Sequence, residues 1–535
     1  MLSPEILSDN LDALTHAQGI CPALGPLPGT MRVAISGNCV NVELRTGAGD
    51  WRAIDTSEGP EAGAHWLDEA GAGVSQIIVV GLGLGYVLER AEQLGVAKVV
   101  ALEPDPGVAT LFLSRRDWRE WFRSGRLRLL TGPDYRGAVE TARFLDGLRE
   151  IAIASHPLRT ALEPDASARA TLVAKRLAEN AASNGRARRR FAGPYLLQTL
   201  SNAPAIAREG NVQALTGAFP GLAAVVVGAG PSLDDNLPAL RALQDRVIVI
   251  ATDTTLGPLL SGGVRPDIVV GTDSSELNAR HLTTPVQTHD VMLAAEGSLH
   301  PSAIERFSGR IFSLRIADHD PWPWLRGAGL DRGELRAWGS VLTSAFDLAC
   351  RMGCNPIVFA GADLAFTGMR PYCRGTIYDA QWQEWIDKGC SWELLMEEYF
   401  SRQPEVYRED IRGERTRTAP NLVSFRDWLV ERVTSLRAIT VMNASGAGIL
   451  HGGAVKQASL HDALGDLPPL PAVREALRGL YAASCPPAAT GDAFDARLRQ
   501  IHSGRKSVPV QRWIEFTGGT VSEQEILAAL PRSLR

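Results

Sequence analysis

The stretch LAAVVVGAGPSLDDN (residues 222–236) decides the reading of this chain. Six apolar residues in a row suit a strand covered on both faces. A glycine turn follows, Gly228-Ala229-Gly230-Pro231-Ser232, and then a polar helix start. Such a turn lets a backbone approach a phosphate, and the helix N-terminus adds amide N–H groups. Ser232 is placed to cap that helix, and Pro231 to start it without wasting a donor.

The same grammar continues downstream. Apolar strands are predicted at RVIVIA (246–251), DIVVG (267–271), DVMLAA (290–295), RIFSLRI (310–316) and NPIVFAG (355–361), with helical patterns between several of them. This alternation indicates a doubly wound α/β sheet. Ligands of such sheets bind beyond the carboxyl ends of the strands. The residues there are Asp253, Asp273, Glu296 with His300 close behind, and Asp363. If the sheet is parallel, four carboxylates and a glycine turn share one edge. Gly339-Ser340 opens another helix in the same manner. A lone strand-end acid is usually a cap; several along one edge favour a site.

Upstream, QIIVV (76–80), GLGLG (81–85), a helix and AKVVALEPD (97–105) form one βαβ unit. Glu103 lies 22 residues after Gly81, the spacing of a ribose-binding acid in dinucleotide or methyl-donor folds. A structural βα turn is the plainer reading. MRVAISGNCVNVELRTG reads as two short strands around a Gly-Asn turn.

The chain divides into a β-rich extension (1–70), an N-terminal Rossmann-like domain (71–155), a helical connector (156–215), a central nucleotide-binding domain (216–380), a helical continuation (381–455) and a helical tail (456–535). Pro194 and Pro204 are expected to interrupt the connector. Its RARRR run (186–190) suits a solvated face, or an acidic partner. The loop Asp318-His319-Asp320-Pro321-Trp322-Pro323-Trp324 suits a core cover, or a platform for a sugar or base.

Composition narrows the function. The 535 residues are 45% hydrophobic and 21% charged, as in an ordinary globular protein. The net charge of −5 gives no global basic field for nucleic acid. No apolar run reaches the ~20 residues of a membrane helix. The seven cysteines are scattered without a CxxC, and MLSPEILSDNLDAL lacks a basic n-region before an apolar core, so a reducing, cytoplasmic setting is expected. There is no GxxxxGK[ST], so a bound phosphate needs arginine, backbone amides or a divalent cation. Asp253, Asp273 and Asp363 could hold Mg²⁺ through oxygen. His300, His319 and His451 are the histidines to weigh as general bases.

GAGPSLDDN, VIVIATDTTLGPLL (247–260), GVRPDIVVGTDSS (263–275) and GSVLTSAFDLACRMGCNPIVFAGADLAFTG (339–368) together resemble the motility-associated factor (Maf) flagellin glycosyltransferases. The central domain of that family belongs with the archaeal 6-hydroxymethylpterin diphosphokinase. VVGLGLGY, VVALEPD and VMNASGAGILHGG are similar to further parts of it. The resemblance implies two Rossmann-like domains, the central one sialyltransferase-like, and transfer of a nonulosonic acid from a CMP-activated donor to Ser or Thr hydroxyls of flagellin or another protein acceptor.

Carried over, it assigns Gly228, Gly230, Pro231, Ser232, Asp253, Asp273 and Ser340 to donor binding, and Asp273, His300 and Asp363 to catalysis. Where family members often carry a His before a Gly-Thr pair, this chain has Tyr372. Two other readings stand beside this one: an ATP- and Mg²⁺-dependent diphosphokinase, and a non-catalytic binding protein.

Overall fold

A computed structural model describes residues 3–19, 21–36, 39–54, 65–283, 288–317, 319–486, 494, 496 and 508–530. Asp318, the Gly37-Asn38 turn and several residues of the tail lie outside the described residues. The chain divides into two compact units, Met1–Arg188 and Arg189–Arg535.

In the first unit, β1 (Met31–Ser36), β2 (Cys39–Arg45) and β3 (Trp51–Ala53) form an antiparallel sheet. The expected strand pair is therefore present, with a third strand added. β4 (Gln76–Val80), β5 (Lys98–Glu103), β6 (Leu127–Thr131) and β7 (Ala152–Ser155) form a parallel sheet in the order β6-β5-β4-β7. The sequence pattern marks β4 and β5 but not the last two. LRLLT is broken by Arg128 and AIAS is four residues long, so neither carries much apolar pattern of its own.

The expected break at Pro194 and Pro204 does not occur. Both prolines lie inside one helix, Pro164–Ile206, which contains the point where the two units divide. A proline deletes one helical hydrogen bond without obliging the chain to stop. The arginines of the 186–190 run are exposed on this helix.

The second unit holds a wholly parallel sheet of nine strands among the described residues. β8 (Gly210–Asn211) is followed by β9 (Ala224–Val227), β10 (Ile248–Thr252), β11 (Ile268–Gly271), β12 (Met292–Glu296), β13 (Ile311–Leu314) and β14 (Ile357–Ala360). All six predicted central strands are present. The interval 381–455 is not simply helical. Between its helices a hairpin forms from β15 (Val406–Glu409) and β16 (Arg415–Thr418), and β17 (Val441–Asn443) joins the main sheet; β18 (Lys456–Gln457), at the start of the expected helical tail, extends that sheet further.

The strand order is β18-β17-β14-β9-β10-β11-β12-β13-β8. Val225 pairs with Val249 on one side and Val358 on the other. Every residue of β9 to β14 is buried, which explains the unbroken apolar runs. Each buried Val, Leu or Ile contributes about 1.5–3 kcal/mol. Past β13, Trp322 is fully buried and Trp324 packs edge-on to Trp513, so the tryptophans cover the core rather than form an open platform. Short helices such as Leu460–Leu464, Val473–Ser484, Val510–Phe516 and Glu523–Ala529 make up the C-terminal region.

Candidate functional site

The strand order reverses between β9 and β14: strands β10 to β13 lie on one side, and β17 and β18 on the other. A crevice at such a switch point is where open α/β sheets bind ligands. Here the switch point lies between the Gly228–Ser232 turn and Asp363.

That crevice is bridged from within. The Ser232 hydroxyl donates to Asp363 Oδ1 at 2.5 Å, and the Ser232 amide points at both carboxylate oxygens at 3.3 and 3.2 Å. Ser232 is the N-cap of helix Leu233–Leu243 by position, yet its side chain caps no amide. The expectation of a side-chain cap is corrected: the hydroxyl is committed to Asp363. A Cβ on Gly230 would sit 2.1 Å from Asp363 Oδ1, so only glycine permits this approach. From the other side, the glycine-rich segment braces Asp363. Ile449 N–H donates to its carbonyl, and a Cβ on Gly448 would fall 2.1 Å from that oxygen. Burial raises the Asp363 pKa, partly offset by Ser232.

Most of the turn's amides are committed as well. Gly228 N–H donates to Ala360, Gly230 N–H to Gly361 and Leu233 N–H to Gly230. The amides of Gly228, Gly230 and Ser232, expected to meet a donor phosphate, are therefore bonded within the protein. Pro231 has none to offer.

Next along the edge come Asp253 after β10 and Asp273 after β11. Asp253 is 1% exposed. Its Oδ1 accepts from Thr254 N–H at 2.7 Å and from the Thr254 hydroxyl at 3.1 Å, while Oδ2 is buried with no partner. Desolvation, with a smaller push from the Asp273 charge, raises its pKa to about 7. Asp273 is half-buried and accepts from Ser275 N–H at 2.7 Å.

The segment after β14 lies against this edge. Cys373 N–H donates to Ala229, and Arg374 N–H donates to Asp234 at 2.9 Å. Tyr372 stacks on Tyr378 with ring centroids 4.7 Å apart. Both phenols are pushed up, first by burial and then by neighbours that include the Asp253 and Asp273 charges. His281 meets Tyr378 edge-on at 5.4 Å. Its Nε2 is buried without a partner, and burial together with Arg280 lowers its pKa to about 4. Sequence reasoning misses Tyr378 and His281, because neither belongs to a spacing pattern. Thr376 gives a signal in principle: it caps the helix Ile377–Asp387 that carries Tyr378.

The remaining candidates have structural employment. Ser340 accepts from Leu342 N–H and caps the helix Val341–Met352. His300 caps Pro301–Arg306 through Ser302. His319 is wedged between Tyr195 and Phe516, and His451 Nε2 lies 2.9 Å from the Glu409 carbonyl. Glu296 is buried and accepts from Tyr195 and from Ser298 N–H. No group of three or more His, Cys, Asp or Glu side chains among the described residues could hold a metal ion, so Asp253, Asp273 and Asp363 do not form the three-carboxylate set considered for Mg²⁺. Asp253 and Asp273 are the pair that could take part in such a site, with substrate oxygens completing it.

The first unit repeats the switch-point plan without leaving an open edge. Glu103 accepts from Leu82, Gly83 and Asp105 amides and pairs with buried Arg159 at 2.7 Å. The acid with ribose-binding spacing is thus a brace for its own glycine turn.

Residues 197–369 match the family described as 6-hydroxymethylpterin diphosphokinase MptE-like. They form an MptE-like domain. The switch-point turn, Asp253, Asp273 and Asp363 all lie inside it, whereas Tyr372, Arg374 and Tyr378 lie just beyond. Two proteins of Treponema pallidum (strain Nichols), both described as uncharacterized, are 30% identical over 138 residues and 29% identical over 176. These matches cover 23% and 31% of this chain, and 34% and 57% of the relatives. The chain thus spans about a third of one curated relative and just over half of the other. The structure of a Maf glycosyltransferase from Magnetospirillum magneticum AMB-1 aligns with a TM-score of 0.51 at 15% identity. The alignment covers 100% of this chain and 88% of that one, so the MptE-like domain sits in a similar whole-chain fold. Among the described residues no helix is long and apolar enough to cross a membrane.

Proposed function

We propose that this chain is a glycosyltransferase that passes a nonulosonic acid from a CMP-activated donor to Ser or Thr hydroxyls of flagellin or another protein, in the cytoplasm. The observation that carries the reading is Asp253. A buried carboxyl oxygen without a partner, on a group poised near neutrality beside Asp273, is suited to take the proton of an attacking hydroxyl. The fold shared with a glycosyltransferase supports the reaction class. Departure of CMP through an oxocarbenium-like transition state requires stabilisation of the leaving phosphate and little covalent participation by the protein. Tyr372 cannot replace the base, because its phenol is held protonated far above neutral pH.

The test is CMP release from a CMP-nonulosonate in the presence of flagellin, with the wild type and Asp253→Asn. Turnover by the wild type and its loss in the variant are expected. Equal turnover by both would remove Asp253 from the chemistry, and absence of turnover with every CMP-sugar would reject the activity.

The MptE-like match favours a second reading, pyrophosphoryl transfer from ATP to a hydroxymethylpterin, in which Asp253 and Asp273 would hold the Mg²⁺ that neutralises phosphate charge. AMP formation from that pair of substrates would select it.

A further inference from the structure

If the reaction edge handles a nucleotide, it must stabilise a phosphate, and most of the turn's amide donors are taken. The Gly228, Gly230, Ser232 and Leu233 amides are bonded inside the protein. The carboxylate of Asp363 already occupies the place at the helix start where an anion would sit. Asp253 and Asp273 on the neighbouring strands repel a phosphate rather than attract one. A fixed cation close by would offset these carboxylates and supply the missing donors.

Several arginines around the turn are committed. Arg370 is held by Asp379 at 2.7 Å and lies over Trp392. Arg412 donates to the Gly446 carbonyl, and Arg426 to those of Ile449 and His451. Arg374 differs. Its backbone is pinned, since its own N–H bonds Asp234 and the preceding Cys373 N–H bonds Ala229 of the glycine turn. Its side chain is 78% exposed, with a loose 3.9 Å approach to Asp234 as its ion pair. The anchored backbone fixes where the guanidinium can reach, and the loose pair leaves its donors available.

Building on the proposed function, we infer that Arg374 grips the phosphate of the bound nucleotide at the mouth of the switch-point crevice. A guanidinium offers paired N–H donors that match phosphate oxygens. Asp234 parks the side chain in the empty state, and the phosphate takes its place. The unpaired Asp253 oxygen lies at the adjacent strand end, so one edge carries both the phosphate grip and the candidate base.

The test is equilibrium titration of the full chain with CMP, ATP and cytidine, for wild type, Arg374→Ala, Arg374→Lys and Asp234→Asn. Wild type is expected to bind a nucleotide more tightly than the phosphate-free nucleoside. Arg374→Ala should weaken the nucleotide by about tenfold or more and leave cytidine unchanged. Arg374→Lys should recover part of the loss. Asp234→Asn, which keeps an acceptor for the Arg374 amide, should tighten nucleotide binding. The CMP and ATP arms distinguish the two proposed reactions. Wild-type binding that Arg374→Ala leaves unchanged overturns the role of Arg374 while the functional reading stands. Failure of the wild type to bind either nucleotide overturns both.

Discussion

The hydroxyl of Ser232 and the carboxylate of Asp363, 131 residues apart in sequence, meet at 2.5 Å across the point where the main sheet reverses its order. Both side chains are buried. Removing the hydroxyl leaves a desolvated carboxyl short of a donor. Ser232→Ala is expected to destabilise the protein by about 1–3 kcal/mol, read as a lower midpoint in denaturant. Gly230→Ala should be worse, because its Cβ meets the same carboxylate and the Gly361 carbonyl. A Gly230→Ala protein as stable as wild type would mean that the crevice is looser than described.

Asp253 links stability to pH. Its pKa rises from 3.8 to about 7 on folding. A raised value means the folded state holds the proton more tightly than the unfolded state does. The contribution is therefore complete below about pH 4 and is lost as pH climbs through about 7. The loss is on the order of a few kcal/mol. Asp253→Asn removes this dependence, so its stability relative to wild type should increase between pH 4 and 8. Melting temperatures measured across that interval for both proteins provide the comparison, and parallel curves would contradict it.

Tyr372 stands where the resembled family often has a histidine. Burial keeps its phenol protonated, so Tyr372→Phe is expected to leave the pH at half-maximal rate unchanged. A Tyr372→Phe profile displaced by a unit or more would transfer the base role to the tyrosine.

The Glu103–Arg159 pair of the first unit predicts a structural phenotype. Glu103→Ala leaves the buried Arg159 guanidinium with Glu163 as its remaining carboxylate partner and strands three amides of the turn region. The expected cost is about 3–5 kcal/mol. Nucleotide affinity of the remaining folded protein should be unaltered. A variant that unfolds normally but loses nucleotide affinity would show that this turn binds ligand after all.

What is legible in the sequence is what strands and turns write locally. The apolar runs of β9 to β14 are continuous because both faces are covered, and their polar ends stand out against them. Asp253 and Asp273 can therefore be named from the residue order alone. Their neighbours cannot, because strand order is a long-range property: nothing near Gly228 indicates that Asp363 arrives from β14 to claim the Ser232 hydroxyl. The β15–β16 hairpin escapes for another reason. Its half-exposed VYRE and RTRT segments lack the buried apolar signature. Pro194 and Pro204 mislead because a proline signals a lost hydrogen bond, and a long, packed helix tolerates two of them.

Asp363 also has a consequence for how the crevice meets its ligand. By holding the glycine turn as an anion would, it keeps that corner in its working shape when nothing is bound. A newcomer then spends none of its affinity on assembling the turn, and the turn's backbone should look the same before and after the newcomer arrives.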